Sequence, residues 1–305
     1  MLKSVLQYLV IFAITFTVSL LMTPFVRTFS ERAGILDYPN HIKRHSRPMP
    51  RAGGLAMFIA FFAGLIYLII SDGIVVNELK AVVASCVLVT FLGLWDDIKR
   101  VQYIEKFFLQ TVAALMIIFS GIKVGFLPSH LSVPITLLWV VGVTNAVNLQ
   151  DGMDGLAAGV SCLAGFAFFL IGLLQGNAML SLMSLALAGS CIGFLRFNFP
   201  PASIFMGDTG SMFLGFVLSV LGVLSVQNSN CYTNLFIPVV ILAVPVCDTV
   251  ASIVRRYFEG RGIFDGDRGH FYDLMADRLK LRLELVLFLI YVLTMILGLT
   301  SLCLV

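Results

Sequence analysis

The sequence predicts an all-α integral membrane protein that crosses the bilayer about ten times. Hydrophobic residues make up 59% of the 305 residues and charged residues only 12%, whereas soluble domains carry roughly 25% charged residues. Several apolar runs reach the length of roughly 20 residues that a helix needs to cross the hydrocarbon layer. The short alternating segments of a transmembrane β-barrel do not occur. We therefore expect one polytopic helical domain over 1–305.

The predicted spans follow the apolar runs in chain order: 4–26, 53–71, 79–95, 105–121, 135–149, 155–174, 177–195, 210–226, 234–254 and 283–304. The first run is longer than the apolar core of a signal peptide and lacks a clear small-x-small cleavage site, so it is expected to be a membrane helix. The six cysteines are scattered and form no Cys-x-x-Cys pair. They indicate buried apolar positions, and neither a disulfide framework nor a zinc site.

The basic residues predict how the chain is oriented. Of the 20 Lys and Arg residues, 17 lie in or beside one set of connections, namely 27–52, 96–104, 150–154, 196–209 and 255–282. The opposite side keeps only Lys3, Lys80 and Lys123. By the positive-inside rule, the first set is cytoplasmic and both termini lie outside.

Acidic residues collect on that same predicted side. Asp96, Asp97, Asp151, Asp154 and Asp208 all lie in these connections or at the span ends beside them. Acidic residues contribute little to topology, so the positive-inside rule does not explain their position. Because carboxylates near the bilayer are costly, their grouping indicates a site that handles a cation or a charged substrate.

Two of these carboxylates, Asp96 and Asp97, are adjacent at the end of the third span. Adjacent carboxylates repel each other unless a cation, a basic side chain or a shared proton relieves them. A solvated helix end is the alternative interpretation. Lys99, Arg100 and Lys106 follow closely, and they are suited either to bind phosphate or to anchor the next helix to lipid headgroups.

A second polar stretch repeats with a period of three residues. Asn145, Asn148, Asp151 and Asp154 would share one face of a helical or near-helical segment, and the intervening glycines permit sharp turns. A plain polar turn is the alternative. Four polar side chains presented together at a membrane surface favour a binding site.

The segment from Asn198 to Ser211 has the composition of a cation site. Its prolines prevent a regular helix, and glycines at 207 and 210 flank Asp208. An exposed carboxylate beside glycines and hydroxyls suits Mg²⁺, which prefers oxygen ligands, keeps some of its water and shares substrate phosphates.

Basic and aromatic residues fill two further connections, 41–54 and 262–273. The first carries Lys43, His45 and Arg51 before a double glycine, and the second carries Arg268 and His270. Ordinary positive-inside charge is the alternative for each. Asp248, near the end of the ninth span, either belongs to the polar site or caps the bundle by pairing with Arg255 or Arg256.

These residues together resemble the polyprenyl-phosphate N-acetylhexosamine-1-phosphate transferases. The similarity covers nearly the whole chain, in ordered motifs: Asp37-x-Pro39, His45-x-x-Pro48-x-Pro50-Arg51-x-Gly53-Gly54, Gly93-x-x-Asp96-Asp97, Lys106-Phe-x-x-Gln110, Asn145-x-x-Asn148-x-x-Asp151-Gly-x-Asp154-Gly, Phe205-Met-Gly-Asp208-x-Gly-Ser211 and Pro245-x-x-Asp248. The Pro-x-Pro-Arg-x-Gly-Gly form resembles the N-acetylglucosamine branch of that family, closest to the undecaprenyl-phosphate N-acetylglucosamine-1-phosphate transferases.

The resemblance implies a ten-helix bundle in a bacterial plasma membrane with its active site formed by cytoplasmic loops. The implied reaction transfers an N-acetylhexosamine-1-phosphate from a UDP-sugar to polyprenyl phosphate and releases UMP, the first membrane step of a cell-surface polysaccharide pathway. It implies Mg²⁺ as cofactor, with Mn²⁺ as a substitute. The expected partners are the two substrates and membrane lipids. Lipid-facing patches are compatible with a homodimer, and no nucleic-acid partner is expected.

By motif position, the resemblance assigns Asp96 and Asp97 as the catalytic pair, and Asp208 and Asn148 as metal ligands. The remaining candidates would bind substrate, and they are Lys43, His45, Arg51, Lys106, Asn145, Asp151, Asp154, Asn198, Phe205, Arg268 and His270. The chain departs from the branch in its last cytoplasmic connection, which usually carries a His-rich cluster. Only His270 aligns with that cluster, so the identity of the sugar stays open.

Two other classes of protein, transporters and membrane lipid phosphatases, also place polar residues beside membrane helices. A transporter predicts ionisable groups near the middle of its spans, and often repeated or broken helices. Here the acids sit at one end, without a matching set on the other side. A membrane lipid phosphatase would need a phosphatase-type Arg/His signature, which the chain lacks. Direct attack by the prenyl phosphate is favoured over a covalent route through one of the paired carboxylates, but both stay open.

Overall fold

The computed structural model describes residues 2–39, 45–72, 77–228, 232–262 and 269–305. Within these residues the chain forms twelve α-helices: α1 Leu2–Ala33, α2 Gly54–Asp72, α3 Asn77–Lys99, α4 Tyr103–Phe119, α5 Ser129–Gln150, α6 Leu156–Leu174, α7 Ala178–Asn198, α8 Gly207–Leu224, α9 Phe236–Ile241, α10 Ala243–Phe258, α11 Phe271–Asp277 and α12 Leu283–Ser301. Two short strands, β1 Leu36–Asp37 and β2 Met49–Pro50, pair antiparallel. The predicted all-α class is confirmed.

Eight of the described helices are long and apolar enough to cross a membrane, or nine if α9 and α10 together make one span. The remaining predicted span corresponds to α4, whose 17 residues lie at the lower limit of the roughly 17–25 residues used by membrane helices. Large apolar side chains are exposed on many of these helices, among them Phe25, Ile70, Phe91, Phe119 and Leu138. Exposed apolar surface of this kind suits contact with lipid, and the protein is a multi-pass membrane protein.

The ninth predicted span is broken. We expected one helix over 234–254, but α9 and α10 meet at an angle of 81° around Leu242. Pro245 has no N–H to donate to the carbonyl of Ile241, and its ring crowds that carbonyl, so the helix cannot run straight through this point. Beyond the bend, α10 exposes apolar residues such as Val254 and Phe258 and ends with two arginines in its last turn.

Helix α8 lies at the centre of the bundle. All its residues except Asp208 are buried, and α2, α3 and α5 pack closely around it. Because neighbouring helices enclose α8 on its sides, the part of this helix that is not buried is its N-terminal end, at Asp208. The fold therefore places Asp208, the second residue of α8, at the mouth of the bundle.

Glycines permit this close packing. A Cβ at Gly93 on α3 would collide with the backbone of Asp208 and Thr209, and a Cβ at Gly54 would collide with the backbone of Gly210. The double glycine that opens α2 also donates two backbone hydrogen bonds, from Gly53 to the Phe205 carbonyl and from Gly54 to the Met206 carbonyl, each 2.9 Å long. The N-terminal end of α8 is thereby fixed against both α2 and α3.

Candidate active site

A cavity of about 640 Å³ opens at the end of the bundle where α8 begins. Its lining comes from four of the five connections that we predicted to share one side and from the span ends beside them: Asp37, His45, Ser46, Arg47, Met49, Arg51, Asn148, Asp151, Gly152, Met153, Asp154, Asn198, Pro201, Ala202, Phe205, Gly207, Asp208, Tyr272, Asp273 and Leu283. The polar connections therefore meet at one place, although they are far apart in the sequence.

Asp97 fixes the start of α8. Its side chain is fully buried and lies within 2.6 Å of Arg51 Nη2. One carboxylate oxygen also accepts the backbone N–H of Asp208 at 2.9 Å, and the other accepts the N–H and the hydroxyl of Thr209 at 3.0 and 2.6 Å. The first N–H groups of a helix have no intrahelical acceptor, so this carboxylate caps α8 from a different helix. Gly93 lies one turn before Asp97 on α3, and the lack of a side chain there permits the close contact.

The Asp208 carboxylate lies between two cationic side chains. Lys106 Nζ is 2.8 Å from Asp208 Oδ2 and 2.7 Å from Asp96 Oδ2. Arg51 Nη2 is 3.4 Å from Asp208 Oδ1. Asp96 Oδ1 also accepts the N–H of Val101 at 2.6 Å, which ties down the short connection between α3 and α4 and brings Lys106 to this point.

Asp37 extends this charged network to the far wall of the cavity. Its carboxylate is 2.9 Å from His45 Nε2 and 3.7 Å from Arg51 Nη1. The His45 ring also packs edge-on against Phe205, with centroids 5.2 Å apart. The β1–β2 pairing holds Asp37 opposite Met49, and so Asp37, His45 and Arg51 act as one charged wall.

The three-residue repeat of α5 is only partly directed to the cavity. Asn148, Asp151 and Asp154 line it, but Asn145 does not. Asn145 instead pairs with the buried Gln110 of α4, with 2.6 Å from its Nδ2 to Gln110 Oε1. The repeat does not continue on one helical face because α5 ends at Gln150 and the following residues form a turn.

The side chains of Asn148, Asp151 and Asp154 differ in their hydrogen bonding. Asn148 donates from Nδ2 to the Ser211 hydroxyl at 2.8 Å, and Asp154 accepts the N–H of Ala202 at 2.9 Å. Among the described residues, the carboxylate of Asp151 and the amide oxygen of Asn148 receive no hydrogen bond. These two groups are the cavity oxygens most available to a ligand.

Asn198 holds the loop that carries Phe205. Its Oδ1 accepts the N–H of Gly155 at 3.0 Å, and its Nδ2 donates to the carbonyl of Ile204 at 3.0 Å. The side chain is buried, with 3% of the residue exposed. Asn198 therefore joins the loop before α6 to the loop before α8 and shapes one edge of the cavity.

The first turn of α11 lines one side of the cavity with Tyr272 and Asp273, which we did not select from the sequence, whereas the predicted His270 lies just before this helix and is not among the lining residues. His270 is buried beside the cavity, and its Nδ1 lies 2.7 Å from Asp248 Oδ2. Asp248 was expected to belong to the polar site or to pair with Arg255 or Arg256. It pairs instead with His270 and with the N–H of Phe271 at 2.7 Å, because the bend at Leu242 turns α10 toward the start of α11. The next residues, Tyr272 and Asp273, line the cavity.

Tyr272 packs directly over the turn that follows α5. A Cβ at Gly152 would collide with its hydroxyl and ring, and its ring stacks on His270 with centroids 5.4 Å apart. Asp37, Tyr272 and Asp273 lie in stretches that the sequence marked as motifs, yet their aromatic or acidic character alone did not identify them as lining residues. The predicted candidates Lys43 and Arg268 lie outside the described residues.

Burial and neighbouring charges alter the titration of the groups outside the spans. Burial raises the pKa of the Asp151 carboxyl well above its usual range, and the nearby carboxylates of Asp208 and Asp97 add to that effect. Burial also raises the pKa of Asp154. At Arg51, burial opposes the charge, but the surrounding carboxylates, chiefly Asp97 and Asp208, outweigh it and raise the pKa. The cavity thus holds an excess of carboxylates that a bound cation would relieve.

The oxygen groups suit a hard divalent cation. Among the described residues, no group of three or more His, Cys, Asp or Glu side chains forms a complete metal cage. Mg²⁺ needs no such cage, because it is usually held by one or two carboxylates together with water and substrate phosphates. Asp208, Asn148 and Asp151 offer oxygen donors around one cavity, so the residues fit this ion.

Known proteins align with most of this chain. Residues 79–226 match Glycosyl transferase family 4. A probable undecaprenyl-phosphate N-acetylglucosaminyl 1-phosphate transferase of Bacillus subtilis is 36% identical over 94% of this chain and 83% of its own length. A decaprenyl-phosphate N-acetylglucosaminephosphotransferase of Mycobacterium tuberculosis is 32% identical over 83% of this chain and 71% of its own length.

A more distant relative covers the full length. The phospho-N-acetylmuramoyl-pentapeptide-transferase of Limosilactobacillus reuteri is 28% identical over 100% of this chain and 99% of its own length. Of these three relatives, the two N-acetylglucosamine phosphotransferases are the more identical to this chain. The chain therefore belongs to glycosyl transferase family 4, in the branch of the polyprenyl-phosphate N-acetylglucosamine-1-phosphate transferases.

Proposed function

We propose that this protein transfers N-acetylglucosamine-1-phosphate from its UDP-sugar to a polyprenyl phosphate, releasing UMP on the cytoplasmic side of a bacterial plasma membrane. The observation that carries the proposal is the cavity at the start of α8. Carboxylates, amides and basic side chains from distant segments meet there. Both reactants carry phosphates, so a site for them needs cations and the oxygen ligands that hold a cation.

The basic residues would bind the phosphates. Arg51 and Lys106 lie on either side of Asp208, and each presents positive charge that would offset repulsion between the two anionic reactants. The prenyl chain would stay in lipid, so its phosphate is confined to the membrane surface near the cavity. Confinement of the attacking oxygen beside the diphosphate converts a diffusive encounter into a positioned reaction.

A divalent cation would be held by Asp208, with Asn148 and Asp151 as the nearest further oxygen donors. When bound, Mg²⁺ would neutralise charge on the diphosphate and on the leaving UMP. On the protein side, Asp97 would hold Asp208 and Arg51 in position, while Asn198 and Phe205 would shape another edge of the cavity.

We retain direct attack by the prenyl phosphate as the proposed route, with a member of the Asp96–Asp97 pair orienting or deprotonating the nucleophile. The geometry favours Asp96 for that role, because its side chain is 11% exposed whereas the side chain of Asp97 is fully buried. The covalent route would support exchange of labelled UMP into the UDP-sugar without lipid acceptor, and the direct route would not.

The test is UMP release by the purified protein with polyprenyl phosphate, Mg²⁺ and one of several UDP-sugars. Release should require both the lipid and the metal, and UDP-N-acetylglucosamine should be the best donor. Asp208→Asn should abolish release while the protein remains in the membrane fraction. Release with none of the UDP-sugars would contradict the proposed function. Preference for another N-acetylated sugar would retain the reaction and correct the donor.

A further inference from the structure

Both oxygens of the proposed metal ligand are already engaged by cations. Asp208 Oδ2 is 2.8 Å from Lys106 Nζ, and Asp208 Oδ1 is 3.4 Å from Arg51 Nη2. Mg²⁺ binds carboxylate oxygens at about 2.1 Å, so a metal on Oδ2 would lie within a few ångströms of the ammonium. Like charges this close repel strongly in a partly buried site. A divalent cation on Oδ2 would therefore compete with the observed Lys106 contact.

The two cations are not equally free to move away. Arg51 is held by the buried Asp97 at 2.6 Å and faces Asp37 at 3.7 Å on the other side. Lys106 has a flexible four-carbon stem, and besides Asp208 it contacts Asp96 Oδ2 at 2.7 Å. Lys106 can therefore leave Asp208 and still keep a carboxylate partner, whereas Arg51 cannot move away without depriving the buried Asp97 of its ion-pair partner.

We propose that Lys106 occupies the cation position at Asp208 when substrate is absent, and that metal binding displaces its ammonium toward the reactant phosphates. This inference rests on the proposed function, because it takes Asp208 as the metal ligand. Asp96 then acts as the anchor that keeps the displaced lysine at the site. The lysine can reach the phosphates only after the metal has bound. The metal therefore binds before Lys106 contacts the reactants.

The displacement can be measured without turnover, by titrating the substrate-free protein with Mn²⁺ and recording the free ion by electron paramagnetic resonance. Lys106→Gln should bind Mn²⁺ about tenfold more tightly than the wild type, because the metal no longer competes with a charge-assisted hydrogen bond. Lys99→Gln is the matched control. It removes the same charge from an exposed position near the end of α3 and should leave the affinity within about twofold of the wild type, since exposed charges are largely screened.

A second measurement uses the unmodified chain and does not depend on how the variant folds. Lys106 in the wild type should react faster with an amine-directed acetylating reagent after Mn²⁺ is added, as quantified by mass spectrometry. Asp208→Asn should remove that response to Mn²⁺.

The possible failures are distinguishable. Equal or weaker Mn²⁺ binding by Lys106→Gln, or slower acetylation of Lys106 with metal, would overturn the competition while leaving the transferase intact. If Asp208→Asn in the Lys106→Gln background binds Mn²⁺ as tightly as Lys106→Gln alone, the metal assignment within the proposed function fails instead.

Discussion

The carboxylates of Asp97 and Asp208 contribute to one site in different ways. Asp208 presents its carboxylate to the cavity, with its side chain 21% exposed. Asp97 is enclosed, and its carboxylate serves the backbone that carries Asp208. A carboxylate with all its acceptor sites used by the protein is more suited to hold geometry than to exchange a proton with a reactant.

The enclosed position of Asp97 predicts a combined defect. Asp97→Ala should lower both transfer activity and thermal stability, because Arg51 and the first N–H groups of α8 lose their acceptor. Removing one partner of a buried ion pair costs about 3 kcal/mol, and thermal unfolding in detergent would detect a loss of that size. Glu284→Ala, which removes a carboxylate at an exposed position, is the control. Loss of activity with an unchanged unfolding temperature would instead indicate a direct chemical role for Asp97.

Removing the charge of Asp151 should raise stability while it lowers activity, whereas Asp97→Ala should lower both. Its carboxyl pKa is raised well above the ordinary value of 3.8, so the folded protein holds this proton more tightly than the unfolded chain. Stability then falls as the pH rises from about 3.8 through the raised pKa, because the charged form is the costly one. Asp151→Asn should therefore unfold at a higher temperature than the wild type at pH 7.5 in metal-free buffer.

The advantage of Asp151→Asn should shrink as the pH is lowered toward 4, where the wild-type carboxyl is itself protonated. The same variant should lose transfer activity, since a ligand-facing oxygen has lost its charge. Equal unfolding temperatures of the two proteins at pH 7.5 would mean that the Asp151 charge is already compensated in the folded state.

At the scale of elements, the apolar runs predicted the helices well because lipid imposes their length and composition. The predicted spans at 155–174 and 283–304, for example, nearly coincide with α6 and α12. The break at Leu242 could not be predicted in the same way. Proline is tolerated inside membrane helices when neighbouring groups satisfy the freed carbonyl, and whether they do so depends on tertiary contacts.

The site, like the helices, could be predicted only in part. The motifs predicted which residues gather, but not what each contacts. Lys106 and Asp208 are 102 positions apart, and no local pattern shows that they form an ion pair. Asn145 has the spacing of a cavity residue, but it turns to Gln110 because α4 offers a buried amide at that height.

Helix contact through glycine gives a test at this scale. Gly93→Ala should lower the unfolding temperature and weaken Mn²⁺ binding, because the added Cβ would collide with the α8 backbone beside Asp208. Gly142→Ala is a matched control, since a Cβ there meets nothing within 4 Å. That exchange should be neutral or stabilise by up to about 1 kcal/mol through helix propensity. Similar effects of the two substitutions on metal binding would show that the α3–α8 contact does not set the site.

For the molecule as a whole, the charge distribution predicts an orientation in the membrane, and this orientation can be tested. Basic connections gather at the cavity end, so the cavity should face the cytoplasm and both termini the exterior. A cysteine introduced at Lys99 in a cysteine-free background should react with a membrane-impermeant maleimide only after cells are opened. A cysteine added after Val305 should react in intact cells, and the reverse pattern would invert the proposed topology.

The enclosure of α8 also has a consequence for how the protein loses its ligand. A helix surrounded by its neighbours cannot fray separately, since local opening occurs where few buried contacts oppose it. The proposed cation site at Asp208 should therefore be as stable as the packed interior of the bundle. On heating, we expect divalent-ion affinity to persist almost unchanged until the bundle itself melts, and then to vanish within the same transition.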